Sequence, residues 1–96
     1  MLSFYLLKYV MPEISRFLGI IIAMYYNEHN PPHFHARYGD AKVEIAIDTL
    51  SILAGKLPPR ALGLVMEWAS RHQDELKVDW DLARQQAALN NIEPLE

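Results

Sequence analysis

The strongest constraint on the fold is a period-two alternation on both sides of the dipeptide Gly39-Asp40. The apolar set consists of Phe34, Ala36, Tyr38, Val43, Ile45 and Ile47. The polar set consists of His33, His35, Arg37, Lys42, Glu44 and Asp48. This alternation is typical of strands that bury one face, and a glycine-containing dipeptide between two such runs is typical of a two-residue hairpin turn. The sequence therefore predicts an antiparallel hairpin whose two faces differ in polarity.

The two-residue loop also fixes which residues face each other across this hairpin. On the apolar side the predicted pairs are Tyr38 with Ala41, Ala36 with Val43, and Phe34 with Ile45. On the polar side they are His35 with Glu44, and Arg37 with Lys42. A slip of one residue would mix apolar and charged side chains on both faces. We therefore expect His33 and His35 to share a face with Glu44, and the apolar face to lie under a helix.

Further strands are predicted before and after the hairpin. Leu18 to Tyr26 is apolar on both alternating sets and ends at the turn residues N-E-H-N-P-P, which indicates a central strand. A short fourth strand is predicted from Ser51 to Ala54, and Gly55 is expected to end the sheet.

Two helices are expected in the second half of the chain. Pro58-Pro59 predicts a helix start, because proline is tolerated in the first helical turn. Apolar residues then recur at helical spacing, at Leu62, Val65, Ala69 and Leu76. Asp79 is a candidate N-cap for a second, shorter helix that Asn90-Asn91 closes.

Strands followed by helices predict an α+β fold, with an antiparallel sheet of three to four strands in a β-meander and two C-terminal helices packed on one face. Residues 11–96 are expected to form this single domain. Residues 1–10 are expected to be an N-terminal extension added by an upstream start. The alternative is an edge strand or helix that packs on the domain.

Composition excludes several classes of function. The chain has 96 residues and no cysteine, so a disulfide framework and a thiolate zinc site are excluded, and a cytoplasmic location is expected. A net charge of −3 argues against a broad nucleic-acid-binding face. The apolar start M-L-S-F-Y-L-L-K-Y-V is too short to span a bilayer, so no membrane association is expected.

Three of the four histidines fall within seven positions, at His29, His33 and His35. Two histidines at i and i+2 on a strand point to the same face, and imidazole is a common ligand of divalent metals such as zinc. The sequence therefore predicts a metal site held by these three histidines, with Glu44 as a catalytic base that activates water. Two alternatives stay open, since the histidines can instead contact a partner or form a structural polar network.

Arg37 and Lys42 form a like-charged pair in the predicted register, which costs free energy unless an anion or a carboxylate compensates. They are candidate residues for binding a partner or an anion. With Arg16 they also make a local basic strip, which favours weak binding to nucleic acid. A transcriptional regulator that binds DNA weakly is therefore a further hypothesis, and it would need a partner or dimerisation for affinity.

Four motifs occur in order between Met11 and Leu95, namely M-P-E-I-S-R-F, H-N-P-P-H-F-H-A-R-Y-G, G-K-L-P-P-R-A-L and I-E-P-L. With them the chain resembles the bacterial domain of unknown function 4160 family. The resemblance implies a small bacterial protein often encoded beside another small open reading frame. It assigns no catalytic residue. We therefore expect a partner-binding or regulatory module of a two-gene, toxin–antitoxin-like pair, with a metal-dependent hydrolase or nuclease as the alternative. A homodimer is also compatible with this size.

Overall fold

Strands occupy the first half of the chain and helices the second half, in a computed structural model that describes residues 12–95. The five strands are β1 (Glu13–Phe17), β2 (Ile20–Ala23), β3 (His33–Tyr38), β4 (Ala41–Ala46) and β5 (Ile52–Lys56). The two helices are α1 (Pro59–Ser70) and α2 (Gln73–Arg84). Each strand pairs antiparallel with the next, in the order β1-β2-β3-β4-β5. The predicted α+β meander is confirmed, with one strand more than the three to four expected.

The additional strand is β1, which pairs with β2 across a tight turn. Leu18 and Gly19 form this turn with positive φ angles of 51° and 81°, so the predicted strand from Leu18 begins only at Ile20. The β1–β2 register shifts between Glu13 and Ser15, and the burial of β1 does not alternate. Because period-two alternation is the signal by which strands are found in a sequence, this irregularity explains why β1 was missed.

The predicted register of the β3–β4 hairpin is confirmed at every pair. Phe34, Ala36, Val43 and Ile45 are at most 1% exposed and form one face of the sheet. Helix α1 covers this face, since the Trp68 ring lies 5.6 Å from the Phe17 ring and 6.0 Å from the Phe34 ring, centroid to centroid. We call this the inner face, and the opposite face, which carries His35 and Glu44, the outer face.

The helix boundary differs from the prediction. Helix α1 ends at Ser70, the amides of Arg71 and His72 donate to carbonyls of its last turn, and α2 begins at Gln73. Asp79 is therefore not an N-cap but a buried residue in the middle of α2. Its Oδ1 accepts a hydrogen bond from the Asn90 amide at 2.8 Å, so the carboxylate holds the C-terminal tail.

The two edges of the sheet are covered to different extents. The Ile92 amide donates to the Ile14 carbonyl at 2.8 Å, and the Trp68 indole donates to the Glu93 carbonyl at 2.8 Å, so the tail lies against β1. All five residues of β5 are exposed, including Ile52 at 45% and Leu53 at 42%. Among the described residues, no strand pairs with the free edge of β5. Within residues 12–95, neither helix has the length and apolar character needed to cross a bilayer.

Gly55 lies inside β5, whereas the sequence predicted that it ends the sheet. Its φ of +75° is left-handed, and a Cβ atom built there would lie 2.2 Å from the Lys42 carbonyl oxygen. The glycine lets β5 approach β4 beside the irregularity at Glu44 and Ile45.

We predict that Gly55→Ala lowers the free energy of unfolding by about 1–3 kcal/mol, because alanine introduces both backbone strain and a backbone clash. Gly63→Ala is the matched control, since a Cβ atom there meets nothing within 4 Å and alanine favours a helix interior by about 0.5–1 kcal/mol. Urea unfolding of both variants measures the difference. Equal stabilities would contradict the close approach of β5 to β4.

Candidate metal site

The loop between β2 and β3, residues 24–32, is anchored on the residues that follow α2. The Tyr26 hydroxyl donates to the Ala87 carbonyl at 3.0 Å, and the Gln86 side-chain amide donates to Asn27 Oδ1 at 3.1 Å. Asn27 has a φ of 61°, a left-handed conformation that asparagine tolerates better than most residues. This anchoring turns the next residue, Glu28, back toward the outer face of the sheet.

Glu28 and two histidines of β3 converge on one point. Glu28 Oε1 lies 3.0 Å from His33 Nε2 and 2.5 Å from His35 Nε2. The two imidazoles share the outer face because side chains two residues apart on a strand point the same way. One ligand atom from each of the three residues lies within 4.8 Å of the others, so the group has the dimensions of a metal site.

The hydrogen bond of His33 Nδ1 determines which nitrogen of this ring carries the proton. His33 Nδ1 lies 2.8 Å from the Pro31 carbonyl oxygen, which can only accept a hydrogen bond, so Nδ1 carries the proton. In the neutral ring Nε2 then presents a lone pair, and it faces a Glu28 carboxylate that is also an acceptor. This arrangement is satisfied by a positively charged imidazole, or by a cation between the nitrogen and the carboxylate.

Aromatic rings enclose the histidines on two sides. His33 is 6% exposed, and its ring centroid lies 5.3 Å from that of Trp80 on α2. The ring of Tyr25 meets His35 edge-on at 4.5 Å. Glu44 Oε1 lies 3.9 Å from His33 Nε2, and its half-exposed side chain leaves this side of the group open to solvent. The group is therefore buried at the sheet and accessible from the outer face.

The electrostatics of Glu28 reflect both burial and its partners. Burial raises the pKa of this carboxyl, but the hydrogen bonds and positive charge of His35 and His33 oppose it more strongly. The pKa of Glu28 consequently lies below its ordinary value. The carboxylate is thus held ionised, as a metal ligand must be.

The structure brings together most, but not all, of the residues singled out in the sequence. His33, His35 and Glu44 lie together on the outer face as expected, and Arg37 lies opposite Lys42. His29 is exposed and lies outside the group, and Glu28 takes the place expected for it. Sequence reasoning missed Glu28, although a carboxylate next to the histidine motif was a visible signal.

A family model described as domain of unknown function (DUF4160) matches residues 19–81. The chain belongs to this family. The match runs from the β1–β2 turn into α2 and so includes Glu28, His33, His35 and Glu44 of this DUF4160 protein. No significant match was found among curated proteins or among solved structures.

We predict that Glu28 stabilises the folded protein at neutral pH and that this stabilisation is lost in acid. Because its pKa is lower in the folded state, the unfolded chain binds the proton more tightly, and the stabilisation is complete only above the ordinary glutamate pKa of about 4.3. It is lost as the pH falls through the lowered folded value. Between about pH 5 and about pH 3, Glu28→Gln should lose less unfolding free energy than the wild type in denaturant titrations. Parallel losses in the two proteins would contradict the ion pair.

Proposed function

We propose that this protein is a metal-dependent hydrolase whose ion is held by Glu28, His33 and His35. The observation that carries the proposal is the convergence of His33 Nε2 and His35 Nε2 on one carboxylate oxygen, with the other His33 nitrogen committed to the Pro31 carbonyl. Metal-binding histidines usually donate their second N–H to a carbonyl or carboxylate in this way, which orients the ring and increases its basicity.

The donor set fits a divalent ion. Two imidazoles and one carboxylate are a known ligand set of catalytic zinc, in which a fourth position stays available for water or substrate. Ligand atoms of a tetrahedral zinc ion lie about 3.3 Å apart when each bond is 2.0–2.1 Å long. The separations of Glu28 Oε1 from the two histidine nitrogens, 3.0 and 2.5 Å, are shorter than this spacing, because the side chains hydrogen-bond directly, and they would move apart to admit an ion.

Glu44 supplies the remaining element of a hydrolytic site. Its carboxylate lies beside His33 on the solvent side, where it can accept a proton from the attacking water. The ion would supply Lewis acidity and lower the pKa of water. The leaving group takes its proton from solvent, and Trp80 and Tyr25 hold the histidine rings in place through packing.

We predict that the protein, purified without a histidine tag, binds about one equivalent of Zn²⁺ or Mn²⁺ in isothermal titration calorimetry. Binding to the folded state alone should stabilise the protein by about 2.7 kcal/mol when the free ion is a hundred times the Kd. His35→Ala and Glu28→Gln should weaken binding at least tenfold, because each removes one of the three ligands.

His29→Ala is the matched control for this titration. It removes an imidazole from the same loop but not from the group, so binding should be unchanged. Equal losses in His29→Ala and His35→Ala would favour the histidine triad expected from the sequence. If the wild type binds neither ion and neither ion raises its thermal stability, the group is a structural ion pair and the proposal is wrong.

A second function is favoured by the open edge of β5. An exposed edge strand offers unpaired backbone groups, and a protein partner can add a strand to it. Ile52 and Leu53 add apolar area that natural edges usually avoid. We propose that this edge binds an extended segment of a small protein encoded beside the gene, in a cytoplasmic two-gene pair. The sequence predicts a partner-binding role too, but it points to Arg37 and Lys42 and not to this edge.

We predict that the protein encoded by the neighbouring gene, when co-expressed, co-purifies with the wild type. It should not co-purify with Leu53→Glu, because a charge on β5 blocks strand addition. Val78→Glu places the same charge on α2, at a residue of similar exposure, and should retain the partner. Loss of the partner in both variants, or recovery of the wild type alone, would remove support for this role.

A further inference from the structure

A row of cations crosses the outer face next to the metal group. Arg16 pairs with Ile21, Ile21 with Arg37, Arg37 with Lys42, and Lys42 with Lys56, so these residues form one line across all five strands. Directly paired residues on neighbouring strands point to the same face, about 5 Å apart. We call Arg16, Arg37, Lys42 and Lys56 the basic row. The sequence pointed to three of its members and did not include Lys56.

Three members of the basic row form no ion pair within residues 12–95, although Glu13 lies near enough to Arg37 for their charges to attract. Arg16 is neutralised by Glu13 through two hydrogen bonds of 2.7 and 2.8 Å. The ion pairs of the described residues do not include Arg37, Lys42 or Lys56. Like charges placed directly opposite each other destabilise a sheet, and an anion that binds to the row relieves this repulsion.

The basic row and the metal group are adjacent. His35 and Glu44 lie two residues along β3 and β4 from Arg37 and Lys42, a separation of about 7 Å on the same face. Two shallow grooves meet at Lys42. One is lined by Arg37, Ile21 and the acidic Asp40 of the hairpin turn, and the other by His35, Glu44 and Tyr25. An anionic chain held on the row would therefore pass beside the metal group.

We propose that the substrate is a single-stranded nucleic acid, whose phosphates bind the basic row and whose scissile phosphodiester lies at Glu28, His33 and His35. The reaction class rests on the proposed hydrolase function, whereas the binding does not. The partly exposed ring of Tyr25 lies beside the groove, and open sheet faces that combine cations with an aromatic ring suit unpaired bases. The outer face presents no helix that could enter the groove of a duplex, in the part of the chain that the structure describes.

The chemical step is a hydrolysis. The water oxygen bonds to phosphorus while Glu44 takes the water proton, and the P–O bond to the leaving nucleotide breaks. The departing oxygen takes a proton from solvent, and Glu44 then releases its own proton, so no oxidant or further reactant is consumed.

Fluorescence anisotropy with labelled 12-nucleotide RNA and DNA single strands, and a duplex of the same sequence, tests the binding in EDTA. Three phosphate contacts predict a log–log salt slope of about −2 for a single strand, so affinity should fall about 20-fold between 50 and 200 mM KCl. Lys42→Ala and Lys56→Ala should each weaken binding and reduce the slope by about 0.7. Both variants should fold at least as stably as the wild type, because each relieves like-charge repulsion.

Lys77→Ala is the charge-matched control, since Lys77 lies on α2 and pairs with Asp48. It should bind the strands as the wild type does. Absence of single-strand binding at 50 mM KCl, equal loss in Lys77→Ala, or tighter binding of the duplex would each overturn the substrate assignment.

The metal-loaded reaction separates this inference from the proposed function. With Mn²⁺ or Zn²⁺ the wild type should cleave the bound strand, and Glu44→Gln should reduce the rate by about 100-fold or more. If the protein binds the strands but neither binds metal nor cleaves them, the hydrolase proposal fails and the nucleic-acid surface stands. If metal binds but the strands do not, only the substrate assignment fails.

Discussion

The register of the β3–β4 hairpin is the constraint on which the rest of the structure depends. Phe34 and Ile45 must lie on one side to be buried, with Phe34 against Trp68, and this placement forces His33, His35 and Arg37 to the other side. A slip of one residue would bury cations and expose the core, which is far more costly than any single contact on the outer face. The polar chemistry of the outer face is thus a consequence of how the inner face packs.

The metal group also depends on contacts between residues that are far apart in the sequence. Two histidines on a strand provide nitrogens on one face, but a site also needs an oxygen that comes from a different part of the chain. Here that oxygen comes from Glu28, in a loop whose position depends on the end of α2 through Tyr26 and Asn27. The last helix of the fold therefore contributes to the geometry of the metal group as well as to the core.

This division explains how much of the fold and the site could be predicted from the sequence. The hairpin, its register and the shared face of His33, His35 and Glu44 follow from local alternation, and the structure confirms them. Whether Glu28 or His29 joins the two histidines depends on the backbone at Asn27 and on contacts with residues about sixty positions away. No local sequence pattern encodes these contacts. Strand β1 was missed because its burial does not alternate.

The buried carboxyl of Asp79 lowers the stability of the folded protein. It is fully buried, its Oδ2 has no hydrogen-bond partner in the described residues, and burial raises its pKa above the ordinary value against the hydrogen bond from Asn90. A carboxyl of this kind favours the folded state less as the pH rises through its raised pKa. Its one strong contact holds the segment after α2, and that segment binds the loop that carries Glu28. A buried carboxylate that weakens the fold at neutral pH is therefore connected, through Asn90 and Ala87, to the orientation of the site.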